Sequence, residues 1–119
     1  MPERFSPEWI AVLDEAARPV IGVEDFVIQQ VITDDQDTAW HVMLSSGPTR
    51  VRPGRAEAPD VTFTQDRATA EAIACGELSA GSALTNGRLI VQGATARLAK
   101  QREVLARLDA ALAAAGVDA

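Results

Sequence analysis

The chain has one cysteine, one histidine, fewer basic than acidic side chains and no apolar run close to the length that crosses a bilayer, and each shortage excludes something. A lone cysteine, Cys75, cannot form an internal disulfide, which fits a reducing compartment. A lone histidine, His41, leaves no second imidazole for a metal or for a paired acid–base site. Spanning a membrane takes about 20 consecutive apolar residues, and none occur here. Met1 to Ser6 leads directly into an amphipathic pattern rather than a secretory core, so the expected location is cytoplasmic.

Eleven basic against seventeen acidic side chains give a net charge of -6 and a pI near 4.6. That sign argues against the phosphate-neutralising surface of a nucleic-acid binder and restricts contact with anionic membranes to a transient one. With 119 residues and 47% hydrophobic composition, the chain fits one folded domain over 1–119 that buries roughly two-thirds of its unfolded surface.

Ser6-Pro7-Glu8-Trp9 reads as an N-cap, a proline at the first helical position and an acid in the first turn. Trp9, Ile10, Leu13, Ala16 and Ala17 then share one helical face, and Pro19 and Gly22 end the helix. Val23 to Thr33 alternates Phe26, Ile28 and Ile32 against Val27 and Val31, as a strand covered on both faces does. After the acidic turn at Asp34, Asp35 and Asp37, Thr38 to Ser45 sets Trp40, Val42 and Leu44 against Ala39, His41 and Met43, which makes a hairpin.

Ser46-Gly47-Pro48 and Pro53-Gly54 bracket a short strand from Thr49 to Arg52. Val61 and Phe63 point inward from a fourth strand over Asp60 to Thr64. A helix from Asp66 through Cys75 stops at Gly76, and a shorter one covers Ser79 to Leu84. Asn86-Gly87 turns into a fifth strand, Arg88 to Gln92. One long final helix is expected over Ala94 to Ala115, with Leu98, Leu105, Leu108 and Leu112 as its apolar stripe. The fold class is therefore α/β in the α+β sense, a five-stranded mixed, mainly antiparallel sheet covered by helices.

From Val51 to Gly93 the order Pro59-Asp60-Val61-Thr62-Phe63-Thr64, Gly76-Glu77-Leu78, Ala83, Gly87-Arg88-Leu89-Ile90-Val91 and Gly93 resembles the sterol carrier protein family. Ser79-Ala80 and Leu84-Thr85 stand where many relatives carry asparagine-proline and phenylalanine-methionine. The resemblance implies a bacterial-type stand-alone domain that binds or transports a fatty acid, fatty acyl-CoA or sterol-like ligand in an internal hydrophobic pocket. It also admits a non-catalytic module that dimerises or supports a partner enzyme.

The expected lining is Trp40, Val42, Leu44, Phe63, Ile73, Leu84, Leu89, Val91, Leu98 and Leu105, all of which a solid core would use equally well. Small residues at Ala80, Gly81 and Ala83 favour a cavity. Arg50, Arg52 and Arg55 form the one basic cluster, suited to a carboxylate or phosphate headgroup or to keeping an outer strand soluble.

No catalytic constellation, metal site or cofactor is expected, and the chain is read as not an enzyme. The acidic turn lacks the glycine and bidentate glutamate of a calcium loop. Gly87 and Gly93 lack the spacing of a phosphate-binding loop. His41 is expected to be an ordinary strand residue and Cys75 a buried thiol.

Overall fold

The computed structural model describes residues 5–34, 38–74 and 77–114. Cys75, Gly76, Asp35 and Asp37 lie outside the described residues. Helix α1 (Pro7–Ala17) starts as its sequence dictates, with Ser6 Oγ accepting from the Trp9 N–H at 3.2 Å. Strands β1 (Phe26–Ile32), β2 (Ala39–Leu44) and β3 (Arg50–Pro53) form an antiparallel meander. Strand β4 (Val61–Gln65) is followed by α2 (Arg67–Ala74) and α3 (Ala80–Thr85), then by strand β5 (Leu89–Gly93), α4 (Thr95–Lys100) and α5 (Arg102–Ala114).

The sheet runs β3-β2-β1-β4-β5, with β1 and β4 parallel and the remaining pairs antiparallel, so the expected mixed, mainly antiparallel architecture holds. Because β4 docks on β1, the chain must cross β2 and β1 after leaving β3. It does so over the outer face. Gly54 N–H bonds Ala39 O at 2.8 Å, Ala56 N–H bonds Gln29 Oε1 at 2.8 Å, and Asp60 exchanges two bonds with the Val27 backbone. His41 Nδ1 lies 2.9 Å from Gly54 O, and since a carbonyl only accepts, this nitrogen carries the proton.

The core lies on the other face, where α1 and α5 join the inward residues of the sheet. Phe5, Trp9 and Trp40 pin α1 down: the Phe5 ring stacks on Trp40 at 5.3 Å and meets Trp9 edge-on at 5.3 Å, while Trp9 and Trp40 meet edge-on at 5.4 Å. Such ring pairs add to the burial of their large surfaces. Phe5 reaches this position at φ 70°, a left-handed conformation that is costly for a bulky residue and held here by the aromatic cluster and by Arg67 over its ring at 5.2 Å.

One expectation needs correction. The final helix is not continuous: Gln101, at φ -90° and ψ 6°, separates α4 from α5. Its N–H bonds Leu98 O and its C=O accepts from the Leu105 N–H, so the chain keeps turning while its axis is interrupted. The apolar stripe survives the break, which is why spacing alone did not reveal it. The small residues of α3 differ in their surroundings. Gly81 is exposed with open space around it, and Ala83 is fully buried against its neighbours.

Candidate functional site

The site is built from strand register. Residues opposite one another in a ladder share a face, so Pro53, Trp40, Gln30, Phe63 and Val91 form one transverse row on the inner face, and Val51, Val42, Ile28 and Val61 form the row beside it. Interior rows of a five-stranded sheet should be dry when a solid core covers them. Several members are not fully buried. Val42, Gln30, Phe63 and Val91 are each half-buried, as are Ile73 on α2, Leu98 on α4 and Leu105 on α5. Trp40, Leu44, Val51, Val61 and Leu89 around them are buried.

Gln30, Phe63 and Val91 are consecutive across β1, β4 and β5, so the accessible stretch spans neighbouring strands rather than scattered points. Of the expected lining residues, Val42, Phe63, Ile73, Val91, Leu98 and Leu105 belong to the half-buried set. Trp40, Leu44 and Leu89 sit in the buried wall. Leu84 is 51% exposed on α3.

Two polar features of this interior escaped the sequence reading. Gln65, buried on the inner face, donates from Nε2 to Gln30 Oε1 at 2.9 Å, which puts a polar pair beside Phe63. Glutamine on the apolar phase of strands β1 and β4 was the available signal. Asp14, on the buried side of α1, is the second. Its carboxylate accepts from Arg50 Nε at 3.0 Å, from the Val51 N–H at 2.7 Å and from Arg18 Nη2 at 3.0 Å, with Arg52 at 3.8 Å. Burial opposes the charged form of Asp14, but the bonds from Arg50, the Val51 N–H and Arg18 outweigh it and hold the carboxyl well below the usual carboxylate range.

Val51 belongs to the edge strand β3, so Asp14 occupies a backbone donor that would otherwise invite a foreign strand. Arg50 and Arg52 are therefore engaged at the sheet edge, at a distance of three strands from Phe63. Among the described residues no group of three or more His, Cys, Asp or Glu could hold a metal, and no helix is long and apolar enough to cross a membrane.

The sheet order, the crossover and the helix-covered inner face define a fold that known proteins share. The profile of the alkyl sulfatase C-terminal family matches residues 16–112. The chain belongs to this sterol-carrier-like family. A crystal structure of sterol carrier protein 2 superposes with a TM-score of 0.70 at 22% identity, covering 92% of this chain and 96% of that one. The solution structure of palmitated SCP2L2 from Aedes aegypti is 31% identical over 70% of this chain and 73% of that chain, with a TM-score of 0.57. The stereoselective inverting sec-alkylsulfatase Pisa1 from Pseudomonas sp. matches at 22% identity and a TM-score of 0.52 over 72% of this chain. The match spans only 13% of the length of that alkylsulfatase. No curated protein matches the sequence.

The family expected from Pro59-Asp60 through Gly93 is thus the family found, and two of its motif positions have structural reasons. Asp60 ties β4 to the start of β1 through the Val27 N–H at 2.7 Å and to α4 through Arg97 Nη1 at 2.9 Å. Gly93 ends β5 at φ 108°, where a Cβ would run into the backbone carbonyl of Asp60. Only glycine accommodates both demands.

Proposed function

We propose that this domain binds an apolar, lipid-like ligand between the inner face of its sheet and helices α2, α4 and α5, and that it does so without catalysing a reaction. The observation that carries the reading is the half-buried row Gln30, Phe63 and Val91, consecutive across β1, β4 and β5 on the inner face of the sheet. The sterol-carrier-like fold supports lipid binding in general, and the Aedes aegypti relative carries palmitate.

Burial of an alkyl chain contributes ~0.8 kcal/mol per methylene, so about ten methylenes offer ~8 kcal/mol before ordering costs, which puts the tightest binding such a chain allows at about a micromolar Kd. The non-catalytic reading draws support from His41, whose ring holds the crossover at Gly54 rather than facing the inner row. A carrier of this kind would act in the cytoplasm and touch membranes only transiently, as its acidic surface favours.

A second reading has its own support. The match to an alkyl sulfatase C-terminal family is compatible with a domain that assists an enzyme, with its interior serving as core. The test is binding of a neutral fluorescent apolar probe, Nile red, to delipidated protein. Saturable 1:1 binding displaced by long-chain lipids supports the carrier. Absence of any binding, together with a stable dimer or a captured enzyme in native mass spectrometry, supports the assisting module.

A further inference from the structure

The strand residues on the inner face are apolar at every position but two, Gln30 on β1 and Gln65 on β4. These two are bonded to each other, Gln65 Nε2 donating to Gln30 Oε1 at 2.9 Å. Gln65 is buried, while Gln30 is half-buried and opens the accessible row that runs through Phe63 to Val91. The inner-face neighbours of Gln30 on β1 and β2, namely Ile28, Ile32 and Trp40, are buried and apolar. The accessible row is therefore polar at its β1 end and apolar across β4 and β5, over two strand spacings or about 10 Å.

That asymmetry constrains a ligand lying on the row. Half-buried Gln30 remains within reach of solvent in the free protein, and a lipid laid across it displaces that solvent from a side-chain amide. An amide stripped in this way costs about as much as a lost hydrogen bond unless the ligand returns one. A plain alkyl chain returns none. The bond from Gln65 fixes the Gln30 amide and leaves its NH2 as the free end, a donor that an oxygen atom satisfies. Turning both amides over keeps their mutual bond and presents the Gln30 carbonyl instead, and a hydroxyl serves either arrangement because it both donates and accepts. An ionised carboxylate or sulfate would give up its hydration against two neutral amides, a far larger cost.

We propose that Gln30 is the specificity-determining residue of the ligand space, its amide holding the uncharged hydroxyl head of a long-chain alcohol whose tail crosses Phe63 toward Val91. The assignment rests on the lipid-binding reading and deepens it by naming the head group and the direction of the chain. The polar end of the row takes the head and the apolar end takes the tail, so the chain lies one way round.

The test compares 1-decanol with decane on delipidated wild type and Gln30→Met, each Kd taken from headspace partitioning at pH 8, with decanoate measured by displacement of Nile red. Methionine matches glutamine in length and has no amide to satisfy, so the substitution should weaken decanol and tighten decane. The ratio of decanol to decane affinity should fall by about tenfold, the scale of one exchanged hydrogen bond. A merely structural effect moves both ligands the same way. In wild type, decanol should also shift the Gln30 side-chain NH2 peak in a nitrogen–proton correlation spectrum more than decane does, a readout that stands even where the variant fails to fold. An affinity ratio that survives Gln30→Met, or a Gln30 peak that decanol leaves unmoved, overturns the head-group assignment and leaves the carrier standing. Decanoate binding more tightly than decanol overturns the uncharged head. Failure of wild type to bind either decanol or decane overturns both the assignment and the carrier.

Discussion

Replacing Val91 with tryptophan separates a ligand space from a solid core. Val91 ends the half-buried row on β5 and faces the same side as Phe63. If that side admits a lipid chain, an indole there excludes about four ligand methylenes, which at ~0.8 kcal/mol each removes about 3 kcal/mol of binding, or roughly two decades in Kd. The protein itself should then lose little stability, because that volume would belong to the ligand rather than to packed side chains. In a packed core the same substitution costs ~1–3 kcal/mol by overpacking. For a chain of this length that lowers the Tm by about 4–6 °C per kcal/mol. The assay is paired: Nile red affinity and the thermal midpoint for wild type and Val91→Trp. Binding lost at an unchanged midpoint is the expected result. A wild type that binds nothing, beside a variant that melts several degrees lower, refutes the reasoning and identifies the row as solid core.

Leu84→Trp is the matched control: Leu84 is exposed, so both affinity and midpoint should stay within error, stability within about 0.5 kcal/mol. Asp14→Ala leaves the Val51 N–H and three arginines without their carboxylate and should cost about 1–3 kcal/mol in urea denaturation, while Asp14→Asn, which keeps an acceptor for Val51, should cost less. Because the Asp14 pKa is lowered on folding, its contribution is fully present above the unfolded value near ~3.9 and is lost as pH falls from there through the folded value. The stability gap between wild type and Asp14→Asn should therefore shrink below about pH 4, and a gap that widens there would contradict the linkage. Gly93→Ala should destabilise by about 1–3 kcal/mol or fail to fold, since its φ is positive and its Cβ has no room beside Asp60, and far-UV circular dichroism with thermal melts will register it.

Elements whose residues signal them locally were legible in the sequence. Ser6-Pro7 places the start of α1, alternation places Trp40, Val42 and Leu44 on one face, and Asn86-Gly87 precedes β5. What was not legible depends on neighbours distant in the chain. The parallel pairing of β1 with β4 follows from the crossover at residues 54–60, whose bonds to Gln29, Val27 and Ala39 no local pattern announces. Asp14 reads as a polar residue in an amphipathic helix until β3 brings Arg50 and the Val51 N–H to it, 36 and 37 residues away. The lining was partly legible for the same reason: phase along a strand picks out Phe63 and Val91 but says nothing of how closely a helix covers them. Leu84 was misjudged as interior because α3 turns its outer face to solvent.

The two readings of the domain make different demands on its surface, and the placement of the exposed apolar residues bears on the choice. An assisting module that docks through apolar contact needs one contiguous patch. Ile21, Val23, Leu84 and Ile90 are the large hydrophobics exposed among the described residues. Ile21 bridges Pro48 just before β3, whereas Ile90 lies on β5 at the opposite edge of the sheet with α3 packed beside it. Four strand spacings separate the two edges, about 19 Å at ~4.8 Å each. The outer face between them carries the crossover and the polar side chains of Gln29, His41, Thr62 and Thr64. Among the described residues the exposed large hydrophobics thus form two small apolar points rather than one patch, while the inner face of the sheet carries a continuous half-buried row across three strands. Apolar surface that is accessible but faces inward suits a small ligand better than a protein partner, and this distribution favours the carrier.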